Sequence, residues 1–223
     1  MKIILLGASG MVGQGVLIEC LRDPRVERVL AVGRSASGRQ DAKLQDLIHA
    51  DLYDLSAVEG QLRGYDACFY CLGVSSVGMA EAEYTRITYD MTLVVANVLA
   101  RLNPGMTFIY VSGANTDSSE QGRSMWARVK GRTENALLRL PFKAVYLFRP
   151  GGIQPLHGVQ PKVGWIRAIY AMTAPLLSLA VRYAPSAMTT SERVGLAMIN
   201  ATARGTPSRI LESRDINNEA RLD

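Results

Sequence analysis

Within its first thirteen residues the chain joins an apolar run, Lys2-Ile-Ile-Leu-Leu6, to three evenly spaced glycines, Gly7, Gly10 and Gly13. A turn from a strand straight into a helix needs this spacing. Gly7 permits the tight turn, Gly10 lets backbone approach a diphosphate, and Gly13 lets the helix pack closely on the strand. The start of the helix then offers free N–H groups and the positive end of its dipole to the phosphates. A lone glycine pattern says little, but in the first strand–turn–helix unit it predicts a dinucleotide site. Ser9 and Met11, set between the glycines, are expected among its contacts.

The rest of the chain repeats that opening rhythm. Strand-length apolar runs fall at Lys2–Leu6, Arg28–Val32, Leu44–His49, Ala67–Leu72, Thr107–Val111 and Ala144–Phe148. Helical patterns lie between them, near Met11–Arg22, Ser56–Leu62, Glu81–Leu102 and Ser124–Leu140. Strands rich in Val, Ile and Leu that alternate with helices predict a parallel sheet covered on both faces, a doubly wound, Rossmann-like α/β fold. After Phe148 the pattern changes. Arg149–Pro161 reads as a long loop, Val163–Tyr183 as an apolar helical stretch bent at Pro175, and Thr189 with Glu192 as a capping box before a helix reaching Ala203. A last strand is expected near Arg209–Glu212. With 223 residues, 48% hydrophobic and 20% charged, and no linker or repeat, residues 1–223 are expected to form one domain, with 149–205 supplying its substrate side.

Charge is unevenly spread. Residues 121–190 hold ten basic side chains and one acid, Glu134, so this stretch outweighs an acidic first half and gives the net +5. Without a basic motif this excess does not point to nucleic acid. It favours an anionic ligand, and leaves contact with a membrane surface open for the apolar stretch with Lys162, Arg167 and Arg182. Cys20, Cys68 and Cys71 are too few for a disulfide framework and fit a reducing compartment. Cys68 and Cys71, three apart on a strand, point to opposite faces and cannot share a metal. No apolar run reaches the roughly 20 residues of a spanning helix, and the start lacks a signal-peptide cleavage site, so a cytoplasmic setting is expected.

The end of the second strand bears on which dinucleotide binds. A site for NAD usually places Asp or Glu there, to hold the ribose 2′-hydroxyl, whereas Arg accommodates a 2′-phosphate. Here the sequence reads Val32-Gly33-Arg34-Ser35, so NADP(H) is expected over NAD, through Arg34.

Taken together, these landmarks resemble the atypical and extended short-chain dehydrogenase/reductases, and especially the Tat-interacting-protein-like oxidoreductase and NmrA-like types. The resemblance implies an adenine contact at Asp51-Leu52 and passage of the chain by the cofactor ribose at Cys71-Leu72-Gly73. It also implies a nicotinamide lining at Tyr110-Val111-Ser112-Gly113 and at Arg149-Pro150-Gly151. One departure stands out. The active-site helix of the family reads Tyr-x-x-x-Lys, and this chain reads Trp126-Ala-Arg-Val-Lys130. Lys130 can still bind the nicotinamide ribose, but an indole N–H does not deliver protons near neutral pH. Loss of a positioned acid typically costs about 10² to 10⁴ in rate, so ordinary ketone chemistry is expected to be poor.

The candidate catalytic residues are therefore Lys130, Ser112 and Trp126, the last as a stacking platform. Ser112 is followed by Gly113 and Ala114, where a catalytic hydroxyl often sits. Tyr110 and His157 are other conceivable donors, Tyr110 reading as core and His157 as a loop histidine. The leading expectation is an oxidoreductase acting on a small, flat, lipophilic or anionic acceptor. An NAD(P)H-sensing regulatory protein is the alternative. An epimerase or dehydratase is the least favoured, because those enzymes use the tyrosine and only about 70 residues follow the sixth strand.

Overall fold

The computed structural model describes residues 1–157 and 184–221. Seven parallel strands form the main sheet: β1 (Lys2–Leu6), β2 (Arg28–Gly33), β3 (Leu44–Ile48), β4 (Ala67–Tyr70), β5 (Thr107–Val111), β6 (Ala144–Arg149) and β9 (Ile210–Glu212). Their order is β3-β2-β1-β4-β5-β6-β9. The chain runs outward from β1 to β3, then crosses back to place β4 on the other side of β1. A crevice opens at such a reversal, beyond the carboxyl ends of the strands.

Register explains why these strands read as continuous apolar runs. Ala31, Leu5, Phe69, Ile109 and Tyr146 lie side by side across five strands and face one core. The next row, Val32, Leu6, Tyr70, Tyr110 and Leu147, faces the other. Helices α1 (Met11–Arg22) and α5 (Ser191–Arg204) cover the first face with Val16, Leu17, Val194 and Ala197. Helix α3 (Met91–Leu102) covers the second with Val95, Ala96 and Leu99. Cys68 and Cys71 belong to opposite faces, as expected, and all three cysteines are free.

The expected boundaries shift in several places. Strands β3 and β4 stop at Ile48 and Tyr70, short of His49 and Leu72. Ser56–Leu62 is a 3₁₀ helix. The stretch read as one helix over Glu81–Leu102 is α2 (Glu81–Thr85), a π-helical turn (Arg86–Asp90) and then α3. Helix α4 (Met125–Leu137) ends three residues before Leu140.

Beyond β6 the expected loop contains strand β7 (Gly152–Gln154), which pairs in parallel with β8 (Met188–Thr190). The cap of α5 is Thr190, whose hydroxyl accepts from Arg193 N at 3.1 Å. Thr189, expected in that role, instead donates to Asn217 Oδ1 at 2.9 Å, and Glu192 meets His157. Two adjacent threonines can cap one helix, and only tertiary contacts choose between them. A further helix, α6 (Ser213–Glu219), follows β9. The apolar stretch Val163–Tyr183, with the helix and the membrane contact expected there, lies outside the described residues. Among the described residues no helix is long and apolar enough to cross a membrane.

Candidate cofactor and acceptor clefts

Two clefts lie along the carboxyl ends of the strands, with volumes of about 600 Å³ and about 560 Å³. Both are lined by Gly10, Cys71, Leu72, Gly73 and Val74, so they meet over the turn after β1 and the segment after β4. That turn has little freedom. Gly7 has φ +83°, and a Cβ on it would lie 2.7 Å from the backbone of Cys71. A Cβ on Gly13 would lie 2.1 Å from the Gly7 carbonyl oxygen, so the α1 backbone can rest on the turn only as glycine. No side chain caps α1, and its first turn carries no acid. Gly10, Met11 and Val12 line the second cleft directly. This cradle of bare backbone at a helix start fits a diphosphate.

In the first cleft Arg34 and Ser35 lie past the tip of β2, and Asp51 and Leu52 follow the neighbouring strand β3. Gly7 and Ser9 complete that lining on the turn side. Arg34 is exposed and is the one cation among the described lining residues there, and Asp51 the one acid. Asp51 Oδ1 accepts from Tyr53 N at 2.9 Å. Tyr53, Ile87 and Met91 also line this cleft and were not anticipated from sequence. Ile87 belongs to the π-helical turn, whose extra residue no periodicity announces.

The second cleft is lined by Ser112, Gly113, Ala114, Asn115, Lys130, Pro150, Gly151 and Ile153, among others. Asn115 was not anticipated, although φ +65° is a conformation that Asn tolerates better than most residues. Lys130 Nζ donates to the Ser112 carbonyl oxygen. Burial pulls the Lys130 ammonium down to about 8, with Glu134 opposing. Burial also pushes the Cys71 thiol up to about 12.

Behind this lining sits a buried ion pair. Arg149 donates to Glu134 from Nε at 3.1 and 3.2 Å and also from a terminal nitrogen, and both side chains are buried. The Arg149 guanidinium loses hydration there, but Glu134 and then Glu212 more than compensate and hold its pKa above the ordinary value. The Ser112 hydroxyl donates to Glu134 Oε1 at 2.5 Å. Arg149, expected in the lining through its Arg-Pro-Gly motif, thus works from behind, while Pro150 and Gly151 reach the cleft. A Cβ on Gly131 would lie 1.8 Å from the Asp117 carbonyl oxygen, so α4 is pressed against the loop after β5. That contact brings Lys130 and Ser112 together.

The other expected participants lie elsewhere. Trp126 is half-buried near the start of α4 and is not in the lining of either cleft. Tyr110 is a core residue whose phenol burial drives well above its ordinary pKa. His157 is exposed and lies 3.2 Å from Glu192 Oε2.

A model of the NAD dependent epimerase/dehydratase family matches residues 3–124. Among curated proteins, the mitochondrial protein fmp52 of Emericella nidulans is 26% identical over 157 residues, 67% of this chain and 66% of that protein. Protein HTATIP2 of Rattus norvegicus is 26% identical over 152 residues, 67% of this chain and 62% of that protein. The chain thus spans 62–66% of the length of the curated relatives it matches. Among solved structures, the Bordetella bronchiseptica enzyme WbmF in complex with NAD+ superposes with a TM-score of 0.66 at 14% identity, over 98% of this chain and 77% of that one. UDP-glucose 4-epimerase of Thermotoga maritima gives 0.69 at 15%, over 95% and 76%. These structural likenesses are of fold. With the family model covering more than half of its residues, the chain belongs to the NAD dependent epimerase/dehydratase family, within the atypical short-chain dehydrogenase/reductases.

Proposed function

We propose that the protein is an NADP(H)-dependent oxidoreductase whose acceptor is small and conjugated or flat. The observation that carries this reading is the continuity of the two clefts, with Arg34 at one end and Lys130 at the other. WbmF and WbmG, of the same fold, were solved with NAD bound, which supports placing a dinucleotide along this line. Gly7, Ser9, Gly10, Met11 and Gly13 would hold the diphosphate, and Asp51 and Leu52 the adenosine. Cys71, Leu72, Gly73 and Lys130 would hold the second ribose, and Pro150 would flank the nicotinamide. Arg34 would pair with the 2′-phosphate of NADP, since an exposed guanidinium matches a phosphate dianion and the tip of β2 offers no carboxylate for a ribose hydroxyl. Bound NADPH supplies a hydride.

The acceptor follows from what the second cleft lacks. Its one hydroxyl among the described residues, Ser112, is donated to Glu134. Reduction of a simple ketone, whose developing alkoxide is not delocalised and which the family meets with a hydroxyl acid, is disfavoured on this basis. Residues 149–205 would form the acceptor side of a single domain, and three free cysteines accord with a cytoplasmic setting. In the test, purified protein is mixed with NADPH and a panel of quinones, enals and flavins. We expect oxidation of NADPH with at least one class and little with simple ketones. If none is reduced while NADPH still binds, the oxidoreductase reading fails. The second reading, a protein that senses NADP(H) occupancy without turnover, would then stand, favoured by the commitment of the Ser112 hydroxyl to Glu134. It requires a partner whose affinity differs with and without dinucleotide.

A further inference from the structure

We propose that Lys130 is the group that protonates the acceptor, in place of the tyrosine that this chain lacks. The inference rests on the oxidoreductase reading above and adds to it the source of the proton.

Elimination within the cleft carries the argument. Of the described residues lining the Lys130 end, only Cys71 and Lys130 have side chains that ionise. The Cys71 thiol, pushed up to about 12, is a poor acid near neutral pH. The Ser112 hydroxyl already points its proton at Glu134, and Tyr110 is sealed in the core. Lys130 differs from all of these. Its ammonium has three N–H groups, of which one is donated to the Ser112 carbonyl oxygen. Two are left, enough to hold a ribose hydroxyl and still face an acceptor. An acid is most effective when its pKa lies near the working pH, and burial has brought Lys130 to about 8, where most molecules are still protonated at pH 7.

The step balances. An enal or quinone that has gained hydride carries the displaced electron pair on its carbonyl oxygen. The Nζ–H bond of Lys130 breaks as an O–H bond forms there, leaving a neutral amine that recovers a proton from solvent. The sum is one hydride and one solvent proton added per acceptor.

Two readouts test this, one of them independent of turnover. In protein labelled with ¹⁵N at lysine side chains, NMR should show one amine, assigned by its loss in Lys130→Arg, titrating near 8, while ordinary lysines titrate near 10.4. In turnover, the wild-type rate should fall about tenfold per unit above that midpoint, because only the ammonium donates. Lys130→Arg keeps the positive charge but holds its proton too tightly to give it up. At saturating NADPH, confirmed by direct titration of the variant, it should reduce the acceptor about 10²-fold more slowly. If Lys130→Arg is as fast as wild type, or Lys130 titrates with the other lysines, the assignment falls while the oxidoreductase reading survives. A wild type that binds NADPH and reduces no acceptor overturns both.

Discussion

The Arg34 end and the Lys130 end of the cleft are assembled in different ways. The first depends on a turn coded within seven residues, Gly7 to Gly13, where backbone does the work and side chains need only be absent. The second gathers its lining from the ends of β4, β5 and β6 and from α4, and a buried pair, Glu134 and Arg149, ties three of these elements together from behind. A local motif shapes the first end. The lining of the second depends on contacts between residues far apart in sequence.

Removing Glu134 should hurt the Lys130 end most. Glu134→Ala leaves the Arg149 guanidinium buried with Glu212 at 3.7 Å as its remaining carboxylate. Breaking a buried pair in this way costs about 3–5 kcal/mol, to be read from urea unfolding. A loss below about 1 kcal/mol would mean that the pair does not hold this end together. The corresponding change at the other end is Gly13→Ala, whose new Cβ would sit 2.1 Å from the Gly7 carbonyl oxygen. It should cost about 1–3 kcal/mol and weaken NADPH binding, measured by fluorescence titration. Unchanged stability would show that the turn has room the geometry denies. The smallest effect should come from Trp126→Tyr. Because position 126 is outside the described lining, NADPH affinity should change by less than about twofold, a free-energy change below about 0.4 kcal/mol, and no ketone reduction should appear. Gain of ketone reduction would place the indole in the acceptor site after all.

This contrast also marks what the sequence could reveal. The strands around Leu5, Ala31, Phe69, Ile109 and Tyr146 were legible because a sheet buried on both faces leaves uninterrupted apolar runs, and the glycine turn because each of its glycines answers a local steric need. The pairing of β7 with β8 was not, since Gly152 and Met188 meet across a long separation that no local pattern records. Either Thr189 or Thr190 could cap the helix by sequence, and only the packed fold selects Thr190. Arg149, expected in the lining from its motif, instead pairs with Glu134 behind it, because the sheet and α4 must be in place before the two meet. Lys130 was found from its motif. Its burial, and with it the acidity argued above, depends on Gly131 pressing α4 onto the Asp117 loop, which sequence does not show.

We propose that a dinucleotide carrying a 2′-phosphate lies along this cleft with Arg34 at its adenosine end. Parallel titrations of wild type and Arg34→Glu with NADPH and NADH test it most directly. Wild type should bind NADPH at least about tenfold more tightly than NADH, a difference of about 1.4 kcal/mol, and Arg34→Glu should abolish that preference by weakening NADPH alone. Equal affinities in wild type, or an Arg34→Glu variant that binds NADPH as before, would contradict it.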